Sequence, residues 1–550
     1  VVWITPVRWL GWLDWFGWAQ LVVVFWVVLN GVRTAGPRRF LFIALVGLAF
    51  VSVLLACHQR FVNPKWLMLG RTQAEQFFGR ASGPFGSPNS LAALLLLILP
   101  ALGALTLRRG ATVVERVFWG WLGLVIGFGF VLTISRGGWL ALALAVGLWP
   151  LTAGHLPWTR RLRRSAGILA AAILVGGGLV FAAPKVRERF LDLGRHSGET
   201  TRPILWRAGW ELFHSQPLAG TGAGSYNLLF ERHRPERFPD EPQWTHNDYL
   251  NTLSDYGAAG FGLFFGACGV IAVGCARASQ GRPIARFVPW FETPALGRGM
   301  TIGLSAFAIQ LLVDFHFKIP ALAMSFATMA ALAVGRTWPG PVEPVVRHPA
   351  IKLGLAVGGV GLAVALLGGI LPAIRGEAQR YRARQHIDHI ALFAPDAATF
   401  RTLLSTARAG LERGVQLSPG NGQAWADLAY VRSLWAHVEP EHTAALGRDA
   451  EIAAERALAL TQVSPEFWIR RGVARDLQGR WLEAGEDFVT ATSMAPHNAI
   501  AWYYYAEHLS RKATERDLAE AVLAFCLRLD PGNRAGLALR QRLAISRSAQ

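Results

Sequence analysis

Four cysteines in 550 residues leave little room for sulfur chemistry. Cys57, Cys268 and Cys275 lie in apolar stretches and Cys526 in the polar C-terminal portion, with no Cys-x-x-Cys pair, so no disulfide framework or cysteine zinc site is expected. A His-Glu-x-x-His spacing is also missing, which removes the commonest catalytic zinc signature. Acidic residues are few: 36 Asp plus Glu face 55 Lys plus Arg, a formal balance of +19, and charged residues are only 17% of the chain. The opening Val1-Val2-Trp3 has no Met, no signal peptide and no cleavage site, and reads as a start inside a longer protein whose first helices precede it.

Hydrophobic residues, at 52%, and 22 tryptophans dominate instead, and the mean hydropathy is +0.30. This composition describes a membrane protein carrying a soluble portion. Crossing ~30 Å of hydrocarbon takes about 17–25 apolar residues. Runs near that length fall at 14–32, 40–57, 91–107, 117–135, 139–153, 166–183, 258–276, 299–316, 319–335 and 351–372, which predicts about ten helices in residues 1–374. The segment around Asp314 to Pro320 joins either two spans or the arms of a re-entrant hairpin. Arginines at 33, 38 and 39, at 108, 109 and 116, at 160, 161, 163 and 164, at 277, 282, 286 and 298, and at 336 and 347 fall in alternate loops, the cytoplasmic ones under the positive-inside rule. The positive balance is then a topological signal that meets anionic lipid heads, and nucleic acid is not an expected partner. The long polar interval 184–257 and the C-terminal portion come out on the opposite, outer side.

From about residue 375 the pattern changes to amphipathic helices, and Trp468 and Trp502 stand 34 residues apart. That is the tetratricopeptide period. Trp468, Gly472, Ala484, Phe488, Ala491 and Pro496 occupy its small and aromatic positions; Trp502, Ala506, Ala519, Leu523, Cys526 and Pro531 repeat them. A looser copy runs from Trp425 to Pro465. Residues 375–550 therefore read as a small α-solenoid, with repeats over 420–534 offering a surface for a protein or glycan partner.

Candidate chemistry concentrates on the outer side. Ser135-Arg136-Gly137 joins two apolar runs. Arg136 either snorkels to the interface or faces an anion. In the polar interval Arg202 and Arg207 can fork onto a diphosphate, as Arg does and Lys cannot, or pair with Glu199 and Glu211 on a solvated face. Gly220-Thr221-Gly222-Ala223-Gly224-Ser225 lacks the preceding strand, the lysine and the spacing of a nucleotide loop, and reads as a tight turn whose N–H groups could meet a phosphate. His246-Asn247-Asp248 precedes a membrane helix. His246 suits a general base, because an unperturbed imidazole has a pKa of ~6.5; Thr245 or Asn247 as N-cap and Asp248 in the first turn suit a helix cap. Asp314-Phe315-His316 forms a second-rank candidate. No spacing motif makes a metal site of His246, His316 and a carboxylate.

Arg80-x-x-Gly83-x-Phe85-Gly86-x-Pro88-Asn89, Ser135-Arg136-Gly137, Arg202-x-x-x-Trp206, Pro217-Leu218-x-Gly220-x-Gly222 and His246-Asn247-x-Tyr249-Leu250 occur in an order that resembles the O-antigen ligase and O-antigen polymerase superfamily over about residues 77–335. The resemblance implies an all-α transmembrane bundle of the C-type glycosyltransferase kind. It implies metal-independent, cofactor-free, inverting transfer from an undecaprenyl-diphosphate-linked glycan at the periplasmic face of the bacterial inner membrane. His246 would be the base, Arg136 and Arg202 would hold the diphosphate, and Arg80 fits the pattern with a less definite role; Arg207 is added from spacing alone. The acceptor is left open among lipid A core, protein hydroxyl and a growing polysaccharide. Two other classes stand beside this reading. A polysaccharide transporter would show paired broken helices in its two halves, which are not found, and a non-catalytic envelope scaffold would act through its repeats.

Overall fold

A computed structural model of the chain describes residues 3–152, 157–182, 187, 197–238, 240–279, 290–336, 349–393 and 395–548. The opening of the polar interval, including residues 188–196, lies outside the described residues. Among those described, the only strand-like pairing is a single bridge between Trp66 and Thr72. The chain divides into two compact units, one of residues 14–220 and 244–342 and the other of 1–13, 221–243 and 343–550.

The first unit is built from α1 (Arg8–Gly31) from Asp14 onward, α2 (Ala35–Phe61), α3 (Pro88–Thr106), α4 (Val113–Leu132), α5 (Arg136–Leu148), α6 (Trp158–Ala182), α7 (Ser197–Ser215), α8 (Asp248–Ser279), α9 (Pro294–Gln310) and α10 (Pro320–Val334). Five of them, α1 to α4 and α8, are long and apolar enough to cross a bilayer, which makes this a helical membrane protein. The remainder explain why ten runs were read in the sequence. The 13 residues of α5, 17 of α9 and 15 of α10 span only ~20–26 Å, and α6 opens on Arg160, Arg161, Arg163 and Arg164.

At the centre is α3, apolar all round, with every residue from Leu91 to Ile98 fully buried. In lipid no hydrophobic drive holds helices together, so close packing must. Gly299 and Gly303, one turn apart on α9, provide it: a Cβ at either would come within 2.6 Å of the α3 backbone, at Ala101 or Leu97. Gly129 does the same for α4 on α2, lying against Val53.

Helix α8 starts at Asp248, ten residues before the expected membrane run, and is broken at Gly257, where φ is +65° and ψ is −174°. The N–H groups freed at the break are not left unmade. Ala258 N donates to Pro217 O at 2.8 Å and Ala259 N to Leu218 O at 3.2 Å. Gly220, at φ +74°, turns the chain away where a Cβ would strike the backbone of residues 255–257 at 2.5 Å. Its N–H donates to Gln216 O. The Pro217-x-x-Gly220 motif is thus a splint for a kinked helix, and its carbonyls, not phosphate-binding N–H groups, face the helix.

In the second unit α11 (Pro349–Phe393) runs without interruption through residue 374, where composition changes from apolar to polar. After it come α12 (Ala397–Leu417), α13 (Gly422–Trp435), α14 (Thr443–Leu460), α15 (Pro465–Asp476), α16 (Trp481–Met494), α17 (Ala499–Leu509), α18 (Arg516–Leu529) and α19 (Arg534–Ser548), each packed on the next in chain order. The spacing of tryptophans has a physical counterpart. The indole N–H groups of Trp425, Trp468 and Trp502 each donate to the carbonyl six residues earlier, at Pro419, Gln462 and Pro496, over 2.8–3.0 Å. Gly472 makes room for Phe488, whose ring would lie 2.9 Å from a Cβ there.

Candidate active site

His246 sits in the turn that leads into α8, at φ +53°, a left-handed conformation unusual for a side-chain-bearing residue. Its neighbours hold it there. The buried Thr245 N donates to Asn251 Oδ1 at 3.1 Å and Thr245 Oγ1 donates to Asn247 O at 2.8 Å. Asn247 Oδ1 accepts from Leu250 N at 3.0 Å, so Asn247 caps the helix and leaves the preceding imidazole to face outward. Behind this turn lies α7, where Gly209 abuts Thr245 and Leu250.

The turn between α9 and α10 closes on the same place. Asp248 N donates to both Leu311 O and Asp314 O, and Phe317 N donates to Asp248 Oδ2 at 2.9 Å. The Phe315 ring meets the His246 ring edge to face, with centroids 4.6 Å apart, and also packs on Trp244. Asp314, only 4% exposed, then brings Oδ1 to 3.6 Å from His246 Nδ1. Phe315 N donates to that same oxygen and Asn89 Nδ2 donates to the other at 2.8 Å. Burial alone would lift the Asp314 carboxyl, yet His246 beside it, helped by the charge of Arg202, holds it well below the ordinary carboxylate range. Asp314 is therefore an anion at neutral pH, set behind an imidazole whose own side chain is 39% exposed.

Asn89 ties in the remaining motifs. Its Oδ1 accepts from Arg80 Nη2 and from Ser135 Oγ, both at 3.0 Å, while its main-chain oxygen accepts from Gln310 Nε2 at 3.2 Å. The Arg80 guanidinium is buried, donates also to Thr133 O at 3.0 Å and lies over Phe77. It is engaged in holding Asn89. Ser135 caps α5, so Arg136 begins that helix half-buried, next to Gly137, whose backbone lies against Val313. Arg202 is half-buried in α7 and close enough to act electrostatically on Asp314 and His316.

His316 is fully buried beside Phe307, and neither ring nitrogen has a hydrogen-bond partner among the described residues. Burial pushes its pKa down, against the pull of Asp314 and with further help from His246 and Arg202. It is a neutral imidazole behind the site. Arg207 lies elsewhere: its side chain is 83% exposed and pairs with Glu211 at 2.9 Å. Among the described residues no three His, Cys, Asp or Glu side chains gather as metal ligands.

The structure thus brings together His246, Asp314, His316 and Arg202, with Arg80 joined to them through Asn89 and Arg136 placed near the same turn. It does not bring in Arg207. In the sequence Asn89 appears only as the end of the Arg80 motif and Gln310 is not singled out; the available signal is a lone amide in the first turn of the otherwise apolar α3 and another at the end of α9.

Residues 121–265, from within α4 to within α8, match a family model described as O-antigen ligase. The matched segment contains Arg136, Arg202 and His246, whereas Arg80, Asn89 and Asp314 lie outside it. No curated protein matches the chain. The family match supports an enzyme of the ligase or polymerase kind that carries out glycosyl transfer in polysaccharide processing, in a membrane setting with lipid-linked glycan donors.

Proposed function

We propose that the protein transfers a glycan from undecaprenyl diphosphate to an acceptor hydroxyl at the periplasmic face of the bacterial inner membrane, with inversion and without a metal ion. The pairing of His246 with the buried anion Asp314, beside Arg202, carries this reading. Nδ1 of His246 faces Asp314, which leaves Nε2 for the acceptor. As the acceptor oxygen attacks the anomeric carbon, its proton passes to Nε2. The bond from that carbon to the diphosphate breaks and its electron pair leaves with the diphosphate. Asp314 stabilises the imidazolium that forms, and Arg136 and Arg202 stabilise the charge growing on the leaving group in a partly dry site. Arg80 and Asn89 position Asp314.

The acceptor ranges over lipid A core, a growing chain or a protein hydroxyl. The C-terminal helices are read as a periplasmic tetratricopeptide solenoid that receives it or a partner. The experiment is to incubate purified protein with lipid-linked oligosaccharide and candidate acceptors. Transfer with release of undecaprenyl diphosphate is expected, lost in His246→Ala while that variant still reaches the membrane. Wild-type transfer by His246→Ala removes the histidine from the mechanism; flux into vesicles without transfer would make the protein a transporter.

A further inference from the structure

The second unit contains a cavity of about 630 Å³, within the ~300–1,000 Å³ usual for small-molecule sites. It lies on the face formed by the first turns of α13, α15 and α17 and by α11. Trp9, Leu10 and Leu13 close it on one side, and residues 227–231 and 241–243 on another. None of these residues belongs to the candidate active site.

Its wall is an ionic and amide lattice. Arg380 and Arg384 each donate to the fully buried Asp427, at 3.0 and 3.1 Å, and Arg380 also pairs with Glu377 at 2.6 Å. Arg470, stacked on Tyr430 at 4.1 Å, donates to Glu466 at 2.6 Å, and Gln423 donates to the other Glu466 oxygen at 3.0 Å. Asn421 donates to Glu377, and Asn498 to Glu231. Burying such charges is a poor way to hold helices together, because desolvation offsets most of the attraction. A wall of this kind is better explained by what it faces.

The charge pattern narrows the ligand. Four carboxylates and three guanidiniums line the cavity. Arg380, Arg384 and Arg470 are all neutralised by carboxylates, and Glu241 has no cationic partner among the described residues. An anionic diphosphate or acidic polymer would meet no uncommitted positive charge. The cavity instead presents guanidinium, carboxylate and amide groups paired with one another and no positive surplus, next to the apolar side chains of Trp9, Leu10 and Ile500. Vicinal hydroxyls, each both donor and acceptor, on a ring with an apolar C–H face fit that arrangement. The Nε–H of Arg470, buried and without a hydrogen-bond partner among the described residues, is one donor still to be satisfied.

We propose that this cavity is a second glycan site, which holds an uncharged stretch of oligosaccharide away from the transfer chemistry. The choice of a glycan over a peptide rests on the glycosyl-transfer reading; the preference for an uncharged ligand rests on the wall alone. The test is direct binding to the full chain in nanodiscs, read by saturation-transfer NMR and calorimetry. The probes are neutral tetra- to hexasaccharides of glucose, galactose, mannose, rhamnose and N-acetylhexosamine, an acidic hexuronate oligomer, and a neutral Ser/Gly/Asn peptide.

Ile500, which is 48% exposed at the cavity, can be enlarged without removing a buried contact. Ile500→Trp should weaken neutral-oligosaccharide binding by roughly tenfold or more with an unchanged melting temperature, and Gln423→Ala should weaken it as well while lowering the melting temperature, since Glu466 loses a donor. His246→Ala should abolish transfer and leave this binding intact, so the two readings fail separately. No binding by any neutral oligosaccharide, binding indifferent to Ile500→Trp, or Ile500-dependent binding of the hexuronate or the peptide in preference would each overturn the proposal.

Discussion

Replacing Asp314 with Asn tests the reasoning about the site at its most exposed point. The substitution keeps size and removes the charge. The native carboxylate accepts from Asn89 Nδ2 and Phe315 N and faces His246 Nδ1 at 3.6 Å. An amide has one acceptor oxygen, so it must turn its NH2 group either toward Asn89, breaking a bond made at 2.8 Å, or toward the imidazole, where it favours the wrong tautomer. A hydrogen bond to a charged group contributes ~1.5–3 kcal/mol, and 3.6 Å is longer than a closed bond, so the effect on the imidazolium should lie toward the lower end. That corresponds to a loss of roughly 10- to 100-fold in kcat, with KM for donor and acceptor little changed. The assay is the initial rate of transfer from lipid-linked oligosaccharide in detergent or nanodiscs, with the melting temperature measured in parallel. Since Asp314 is argued to act through His246, the double variant His246→Ala, Asp314→Asn should be no slower than His246→Ala alone. Wild-type kcat in Asp314→Asn, or a double variant clearly slower than His246→Ala, would refute the dyad.

Arg202→Lys should cut transfer by about tenfold or more, because an ammonium cannot reproduce the guanidinium fork, whereas Arg207→Ala, on an exposed surface pair, should stay within about twofold of wild type; equal effects in steady-state assays would contradict the separation of the two arginines. Gly257→Ala places a Cβ 2.3 Å from Leu218 O at a backbone angle only glycine adopts readily, at a cost of roughly 3 kcal/mol or more; folded yield and melting temperature should fall sharply, while Gly262→Ala, with nothing within 4 Å, should be neutral. His316 titrates below its ordinary value in the fold, so the unfolded chain takes up its proton first. Stability should be unaffected above about pH 6.5 and fall below it, by up to ~1.4 kcal/mol per pH unit. His316→Leu should flatten that acid limb in melting curves taken from pH 7.5 to 5.5, and an identical slope in both proteins would count against it.

The order of motifs can be read along the chain because they sit either next to an apolar run, as Asn89 and Ser135 do, or in the one long polar interval, as Arg202, Pro217 and His246 do. What joins them cannot. In the sequence Asp314 stands as a second-rank candidate, with no spacing that links it to His246; the pair is formed by the α9–α10 turn, which accepts from Asp248 N and donates to the Asp248 carboxylate. Arg202 and Arg207 looked equivalent, but five residues along a helix is about 140° of rotation, and the second arginine faces away from the first. The apolar run of α8 begins ten residues after the helix itself, because Asp248, Asn251, Thr252, Ser254 and Asp255 are polar. All five are buried. Asn251 Nδ2 donates to Asp255 Oδ2 at 2.9 Å and Thr252 Oγ1 donates to Asp248 O at 2.7 Å, polar bonds inside a helix that a hydropathy scale cannot see.

The splint at Gly257 has a consequence for how such proteins can diverge. With Pro217 and Leu218 bonded to Ala258 and Ala259, the chain between them is an excursion whose two ends are already tied. Lengthening a tied excursion is thermodynamically mild, about 0.6 kcal/mol for each doubling of a flexible loop, and it leaves the tie between residues 217–218 and 258–259 in place. Within the stretch from 221 to 243 the buried Tyr226 and Phe230 must be kept, but the cavity-lining positions Asn227, Glu231 and Glu241 can change while the turn at 245–248 that carries the histidine stays in register. Selection can change what is recognised without rebuilding what reacts.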